Sequence, residues 1–440
     1  MKMPQQGERL VVYGGTAVTM NENNHVVEDA VIEIADGAIR GIRSDGHYVP
    51  PAGCRRLNAN GGLILPGLVN GHTHVGMSLL RGIADDLPLQ RWLTEVIFPM
   101  ERKWGTKDFV RVGTQLSAIE MIRSGTTLIN DMYYFEETAA QTIQDIGLRA
   151  ICGQTVVAIS GVPCPQTNLQ TNFDQYVSRL EPLSLVTPAI APHSVYGVSR
   201  ETMELIMAYT KEKKLLVHLH LSETEEENKQ CLERYGKTPV QYLDELGLWE
   251  HRVVAAHATC LTDEDISVLG RNRVGVSYNP ESNLKLGTKI CPVQALRASG
   301  ARVALGTDSV ASNNNLDLFQ EVDCGAKLQT LRLGVGKLTN LDFVKIMTIE
   351  GASALGMDDQ VGSLEVGKQA DLIVLNTDQA HWIPMYNIYS HLVYSAVGSD
   401  VVHTVVKGNV LMEDRVLKTV DESSVLKEAR DWGKKISKNG

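Results

Sequence analysis

The chain has 440 residues, of which 43% are hydrophobic and 21% are charged, and its 42 Lys and Arg against 52 Asp and Glu give a net charge of −10 at pH 7. These proportions match globular proteins and exclude a disordered, collagen-like or coiled-coil chain. The acidic balance argues against nucleic acid as a partner, because duplex binding needs Lys and Arg that neutralise phosphates. The lack of any apolar run of ~20 residues argues against a membrane partner.

The two ends of the chain predict short β-strands. Leu10–Met20 is apolar and β-branched, and Asp36-Gly37 separates two alternating segments as a hairpin turn would. Near the other end, Val401–Val406 has the same strand character. Because chain termini often lie close in space, we expect residues 1–60 and 366–440 to form one small β-sandwich domain.

The middle of the chain alternates short apolar runs with longer segments of helical spacing. Such runs are typical of strands buried on both faces of a parallel sheet. Eight of them over about 250 residues predict a (β/α)8 TIM barrel across residues 61–365, with a doubly wound open sheet as the competing interpretation. The runs are Leu63–Val69, Thr126–Ile129, Arg149–Cys152, Leu185–Ile190, Leu215–Leu219, Val253–Ala256, Val274–Ser277 and Val303–Leu305.

The connection between the first and second runs is longer than one helix requires. It carries an apolar stripe at helical spacing, which predicts either a helix packed on the barrel or a lid over its mouth. The stripe consists of Leu89, Trp92, Leu93, Val96 and Ile97.

Histidines gather at the ends of the predicted strands. The first run leads into His72-Thr73-His74, and residues i and i+2 of a strand share a face, so both imidazoles would point into the barrel mouth. Neutral imidazole suits zinc and other divalent metals. Four more polar residues follow other apolar runs, where a TIM barrel has its active site: His193, His220, His257 and Asp308. We assign the remaining strand histidine, His218, to packing.

Taken together, these residues resemble the amidohydrolase superfamily, and within it the branch that contains methylthioadenosine/S-adenosylhomocysteine deaminases. The superfamily segments are Leu65–His74 and Gly362–Leu372. The branch segments are Leu79–Gly82, Phe98–Glu101, Pro192–Ser194, His220–Thr224, Asn279–Leu286 and Gly306–Asn314.

The resemblance implies a divalent metal held by His72, His74, His220 and Asp308. Members with two metals carry a modified lysine after the fourth strand, and the run that ends in His193 has none. We therefore expect one metal, Zn²⁺ before Fe²⁺, since sites of His and Asp accept several divalent ions.

The implied reaction is hydrolytic deamination of the adenine ring in 5′-substituted adenosines: methylthioadenosine, S-adenosylhomocysteine, adenosine or 5′-deoxyadenosine. Asp308 would accept a proton from water and later return it, and His257 would orient or stabilise the water oxygen. Glu223 would protonate a ring nitrogen and then the departing ammonia. The competing interpretation of Glu223 is a solvated member of an acidic run that continues through Glu225–Glu227.

Substrate contacts also follow from the resemblance. Glu101 would accept hydrogen bonds from the ribose hydroxyls, unless it is a surface charge beside Arg102 and Lys103. His193 would bond to the purine or ribose, and Trp92 would pack on the base or within the lid core. Relatives that bind S-adenosylhomocysteine can use arginines after the third strand. Residues 154–176 here contain no Lys or Arg, which favours neutral 5′ groups.

Two alternatives stay open. A related aminohydrolase or dechlorinase could act on a guanine- or triazine-like ring with the same metal chemistry. A non-catalytic scaffold should have lost one of the metal or acid/base residues, and all are present. The seven scattered cysteines contain no C-x-x-C pair and the first residues no apolar signal segment, so we expect a cytoplasmic protein. The resemblance also implies a homo-oligomer.

Overall fold

The computed structural model describes residues 9–51, 53–158, 162 and 167–439. Its strands are β1 Arg9–Val18, β2 Val26–Ala35, β3 Ala38–Ser44, β4 Arg55–Asn58, β5 Leu63–Pro66, β6 Leu68–Thr73, β7 Thr126–Tyr133, β8 Arg149–Val156, β9 Val186–Pro192, β10 Leu216–Leu221, β11 Val253–His257, β12 Gly275–Tyr278, β13 Arg302–Leu305, β14 Leu372–Leu375, β15 Val401–Val406, β16 Asn409–Glu413 and β17 Val416–Leu417.

The α-helices lie mainly between the strands of the middle region. They are α1 Leu89–Arg91, α2 Phe98–Trp104, α3 Lys107–Ser124, α4 Glu136–Ile146, α5 Leu169–Leu180, α6 Arg200–Lys213, α7 Glu225–Tyr235, α8 Pro239–Leu246, α9 Asp263–Arg271, α10 Pro280–Lys285, α11 Val293–Ser299, α12 Leu318–Leu333, α13 Asn340–Ile346, α14 Ile349–Ala354, α15 Ile388–Tyr394 and α16 Glu422–Asn439. Short 3-10 helices span Val75–Leu80, Leu248–Glu250, Ala380–Trp382 and Gly398–Asp400, and a π-helical turn spans Trp92–Ile97.

Strands β6 to β13 close into a parallel barrel, in which β13 returns to β6 through the pair Leu305 and Asn70. Every residue of β7 and β8 is buried, as expected for strands that face side chains inside the barrel and helices outside. The structure therefore confirms the (β/α)8 barrel and excludes the open sheet. Among the described residues, we find no helix with the length and apolar character that a membrane crossing requires.

One predicted strand is divided between two sheets. The run Leu63–Val69 contains both β5 and the start of β6, and only β6 belongs to the barrel. Gly67 separates them, and a Cβ atom at this position would lie 2.0 Å from the hydroxyl oxygen of Thr127. Only glycine lets the chain pass so close to β7 while it changes sheets.

The two chain ends build one continuous nine-stranded sheet, in the order β17-β16-β15-β14-β5-β1-β2-β3 with β4 beside β1. Its apolar side chains, among them Ile32, Leu57 and Val374, form a core separate from that of the barrel. The second β unit expected from both ends is thus present. The proposed domain limits, 1–60 with 366–440 and 61–365, remain a prediction.

The segment between β6 and α3 crosses the mouth of the barrel. Trp92, Ile97 and Phe98 are buried there and line the same cavity as side chains from the strand ends. The apolar stripe is therefore a helical cover over the mouth. It is both packed on the barrel and placed over the mouth, as the two interpretations of the stripe predicted.

Candidate metal centre

The carboxyl ends of the barrel strands surround a cavity whose empty space, counted together with its opening to solvent, is about 620 Å³. Polar groups lie at its floor, and apolar side chains from the helical cover form its upper wall. None of its described lining residues is a Lys or Arg. They are His74, Met77, Leu89, Trp92, Leu93, Ile97, Phe98, Glu101, Met132, Tyr133, Tyr134, Thr155, His193, Tyr196, His220, Glu223, His257, Leu286, Asp308, Ser309 and Ser312.

The four residues expected to bind metal come together at the cavity floor. Asp308 Oδ1 lies 3.3 Å from His72 Nε2 and 3.2 Å from His74 Nε2. His220 Nε2 lies 3.4 Å from His74 Nε2. His72, His74 and Asp308 are close enough to share one ion, and so are His72, His220 and His257. Two overlapping sets of ligand atoms therefore converge on the same point.

In His74 and His220, a backbone carbonyl of the protein holds the ring nitrogen Nδ1. His74 Nδ1 lies 2.6 Å from the carbonyl oxygen of Met132, and His220 Nδ1 lies 2.8 Å from that of His193. Nδ1 of both rings therefore donates, which leaves the Nε2 lone pairs directed at the shared point. Partners of this kind fix the tautomer and ring orientation of metal-binding histidines.

His218 corrects a sequence prediction, because its role is more than packing. Residues 218 and 220 of a strand share a face, so His218 lies one layer deeper under His220 and not on the opposite side. Its Nε2 lies 2.9 Å from Nδ1 of His72. His218 therefore orients a candidate ligand, and the alternation of β10 was the signal that could have shown it.

The donor set fits a divalent metal. His72 Nε2 is fully buried and makes no hydrogen bond, which is costly unless another partner is present. Burial, followed by the neighbouring imidazoles, lowers the pKa of His220 well below its ordinary value. Burial alone would raise the pKa of Asp308, but His72 and His74 hold it well below its usual range. Burial alone would lower the pKa of His74, but Asp308 raises it, so metal binding at this imidazole would displace a proton. Neutral imidazoles and an ionised carboxylate are the forms that bind Zn²⁺ or Fe²⁺.

Asp308 is held by three donors. Its Oδ2 accepts hydrogen bonds from the hydroxyls of Ser282 at 2.6 Å and Ser312 at 3.0 Å, and its Oδ1 accepts from the backbone N–H of Ser309 at 2.7 Å. Neither serine was predicted to contribute, although each lies within a motif that carries the family resemblance.

Two of the strand ends have strained backbone. His257 has φ of +72° and Asp308 of +58°, values that cost a residue with a side chain ~1–3 kcal/mol when the structure imposes them. The left-handed turns bend the chain sharply at the points where β11 ends and where β13 passes into its loop. Such outliers cluster at functional sites, and here both bring a polar side chain to the cavity.

Glu223 is buried in the cavity wall, which contradicts the solvated interpretation. Burial first, and then the nearby Asp308 and Glu227, raise its pKa well above the ordinary value. Its Oε1 lies 3.8 Å from His257 Nε2. Glu227 accepts the backbone N–H of Glu223 at 2.8 Å and so fixes the turn between β10 and α7. Glu227 was not predicted to contribute, because it lies within an acidic run that is typical of a solvated surface.

The remaining predicted residues face the upper part of the cavity. Glu101 is 4% exposed, its Oε2 has no hydrogen-bond partner, and burial raises its pKa to about 7. It is therefore not a surface charge. Burial, followed by His74 and His72, lowers the pKa of His193 to about 4. Trp92 lines the cavity from the helical cover.

Known proteins resemble the chain over nearly its whole length. The model of the amidohydrolase family matches residues 63–411. A 5-methylthioadenosine/S-adenosylhomocysteine deaminase from Thermodesulfovibrio yellowstonii is 38% identical, over 98% of this chain and 99% of its own. A 5′-deoxyadenosine deaminase from Methanothermobacter thermautotrophicus is 40% identical, over 85% of this chain and 87% of its own. A solved adenosine deaminase from Xanthomonas campestris, with bound zinc, is 33% identical with a TM-score of 0.94, over 99% and 100% of the two chains.

Proposed function

We infer that this chain, which belongs to the amidohydrolase family, is a hydrolytic deaminase that replaces the C6 amino group of 5′-substituted adenosines with oxygen and releases ammonia. One observation carries the inference. Three imidazoles and Asp308 converge at the floor of an apolar cavity, with the buried Glu223 beside them. The names of the two deaminases reported above, for 5-methylthioadenosine/S-adenosylhomocysteine and for 5′-deoxyadenosine, specify the same class of nucleoside.

His72, His74, His220 and Asp308 would hold one divalent metal, for which we propose Zn²⁺ with Fe²⁺ as the alternative. When bound, the ion would supply Lewis-acid activation of a water molecule at neutral pH. Sites built from imidazole and carboxylate ligands bind either ion. His257 is the fifth polar group at the floor and would orient the water.

Glu223 and Asp308 would move the protons. Glu223, kept protonated by burial, donates to the ring nitrogen next to C6, which makes C6 electrophilic. Asp308 accepts one proton of the attacking water. As ammonia leaves, Asp308 returns that proton to the amino group by way of Glu223, and the proton of the new C6 hydroxyl restores Glu223. General acid–base catalysis of this kind contributes about 10²–10⁴-fold.

The upper cavity would bind the nucleoside. The unpaired Oε2 of Glu101 supports a contact with the ribose diol, since a carboxylate offers two acceptor oxygens to two neighbouring hydroxyls. His193 would bond to the purine or ribose, and Trp92 would pack on the base. The cavity walls that the structure describes contain no Lys or Arg, so we propose methylthio- and deoxyadenosine as better substrates than S-adenosylhomocysteine.

A panel assay on purified enzyme tests the proposal. Bound metal is measured by mass spectrometry, and ammonia release and loss of the adenine absorbance band are followed for methylthioadenosine, 5′-deoxyadenosine, adenosine and S-adenosylhomocysteine. Guanine and a chlorotriazine represent the alternative ring substrates. We expect one equivalent of metal and turnover of the adenosines that a chelator abolishes and added metal restores. Turnover of guanine or the triazine alone would overturn the proposal. Light scattering on the same sample measures the predicted homo-oligomer.

A further inference from the structure

Two asparagine side chains converge on one nitrogen of His257. We propose that Asn279 and Asn283 are positioning residues that direct their amide groups at Nδ1 of His257 and so fix the imidazole with its Nε2–H group facing the reacting atoms. Asn279 Nδ2 lies 3.2 Å from His257 Nδ1, and Asn283 Nδ2 lies 3.0 Å from the same atom. His257 is 1% exposed, and its Nδ1 has the two amide groups as partners.

The local fold brings both amides to one side. Asn279 follows β12, and Pro280 begins helix α10, so Asn279 and Asn283 are one helical turn apart and share a face. The backbone N–H of Asn283 donates to the carbonyl of Asn279 at 3.0 Å. The Ser277 hydroxyl donates to Asn279 Oδ1 at 2.8 Å, which leaves the NH₂ group of Asn279 to face the imidazole.

The consequence is a fixed tautomer. The NH₂ group of Asn279, whose Oδ1 is held by Ser277, is directed at Nδ1 and requires the lone pair of that nitrogen. A neutral imidazole then carries its proton on Nε2. Nε2 lies 3.8 Å from Glu223 Oε1 and 4.0 Å from Asp308 Oδ2, so the N–H group faces the two carboxyl groups that the proposed function uses for proton transfer.

The same hydrogen bonds separate His257 from the metal ligands. By distance alone, His257 could join His72 and His220 around an ion. A protonated Nε2 has no lone pair to offer, whereas Nδ1 of His220 donates to a carbonyl and leaves its Nε2 free. The asparagine pair therefore determines which of the clustered histidines ligates and which one donates. This inference rests on the proposed function only in naming the reacting groups to which the Nε2–H group of His257 donates.

The direct test is nitrogen NMR of the full-length protein with ¹⁵N-labelled histidine, with and without added zinc. The His257 signals are identified by their loss in His257→Gln. We expect Nε2 to be protonated and Nδ1 unprotonated in both samples. A protonated Nδ1 in the wild-type protein would overturn the inference, whatever the enzyme's activity, so this result is independent of the proposed reaction.

Substitution of one amide sharpens the test. Asn283→Asp replaces a donor with an acceptor, so we expect the proton to move to Nδ1. We expect kcat to fall about 10–100-fold, because Nε2 then no longer donates a hydrogen bond. Bound metal should stay at one equivalent in His257→Ala, because His257 is not a ligand. Asn272→Asp, at the end of helix α9 where the amide donates to the carbonyl of Val268, is the matched control with unchanged spectrum and kcat. An Asn283→Asp protein that keeps Nδ1 unprotonated contradicts the inference.

Discussion

The barrel mouth and the junction between the barrel and the terminal sheet both bury charged side chains, but they satisfy them differently. At the junction, Arg149 Nε donates to Asp371 Oδ2 at 2.8 Å and its Nη2 to Oδ1 at 3.0 Å. Asp371 also accepts the backbone N–H of Lys407 at 2.7 Å. At the mouth, Glu101 Oε2 is buried and has no hydrogen-bond partner. His72 Nε2 is also buried and forms no hydrogen bond, although Asp308 Oδ1 lies 3.3 Å from it.

The difference separates groups that serve the fold from groups that serve a ligand. A buried ion pair with every bond made is rigid and has nothing left to offer a ligand. A buried polar atom without a partner costs stability, and at the mouth a bound metal or substrate would supply the missing partner. The unpaired groups of the mouth therefore serve binding and catalysis, and the paired groups of the junction stabilise the fold.

The largest expected effect lies at the mouth. We expect Glu223→Gln to lower kcat by about 10²–10⁴-fold, because the amide cannot donate and recover a proton. Bound metal and the unfolding free energy should change little. Steady-state kinetics with metal analysis checks this. Glu226→Gln, an exposed member of the same acidic run, is the control and should behave like the wild type. Near-normal turnover by the Glu223→Gln enzyme would rule out the acid/base role.

The junction predicts the opposite pattern. Arg149→Met leaves the Asp371 carboxylate buried and unpaired, so we expect the unfolding free energy to fall by about 3–5 kcal/mol. The folded fraction should keep its kcat. Urea unfolding measures the loss, and adding Asp371→Leu should restore part of it by removing the second charge.

Arg179→Met is the control for this pair. Arg179 is 58% exposed and its closest carboxylate contact, with Glu137, is 3.5 Å, so its removal should leave the stability near the wild-type value. If the Arg179 and Arg149 variants lose equal stability, the distinction between the two regions is wrong.

Glu101 should show how much unfolding free energy is lost when a carboxylate is buried with too few hydrogen bonds, since Tyr133 and Tyr134 offset the burial only in part. Burial raises its pKa from 4.5 to about 7, so the folded protein binds this proton more tightly than the unfolded chain does. The resulting stabilisation is complete below about pH 4.5 and is lost as the pH rises through 7. Between pH 5 and 8, the metal-free wild type should therefore lose about 2–3 kcal/mol more than Glu101→Gln, which has no charge to bury.

The same substitution should weaken catalysis. Without the carboxylate, kcat/KM for methylthioadenosine should fall about 10–100-fold, the value of a charge-assisted hydrogen bond. In the wild type, kcat/KM should decline as the pH falls through 7, because the protonated acid is a poorer acceptor. Glu95→Gln, exposed on the same helical cover, is the matched control. A Glu101→Gln variant with the wild-type dependence of stability on pH would show that Glu101 is not the group that titrates.

The smallest expected effect is a substrate preference. At the junction, Arg149 pairs with the carboxylate of Asp371. The described cavity walls contain no Lys or Arg that could pair with the carboxylate of S-adenosylhomocysteine. We expect kcat/KM for methylthioadenosine to exceed that for S-adenosylhomocysteine by about tenfold or more. The methyl ester of S-adenosylhomocysteine isolates the contribution of the charge and should regain part of the difference. The reverse order under the same assay would indicate a cation outside the described walls.

Much of the fold could be predicted from the sequence because its signals are local. The eight apolar runs mark all eight barrel strands, and only the division of Leu63–Val69 at Gly67 was missed. That break depends on the contact of Gly67 with Thr127 on the next strand. The histidines and Asp308 could be placed at strand ends, since parallel strands bring their carboxyl ends to one rim.

By itself, then, the sequence determined the positions of the barrel strands, the rim on which the polar residues meet and the family to which they belong, because spacing and motif are properties of neighbouring residues. Only the tertiary structure decided that Glu101 and Glu223 are buried and that His218 supports His72. It also decided that two asparagines converge on His257. These facts depend on distances between strands and helices far apart in the chain, which exist only after the barrel has closed.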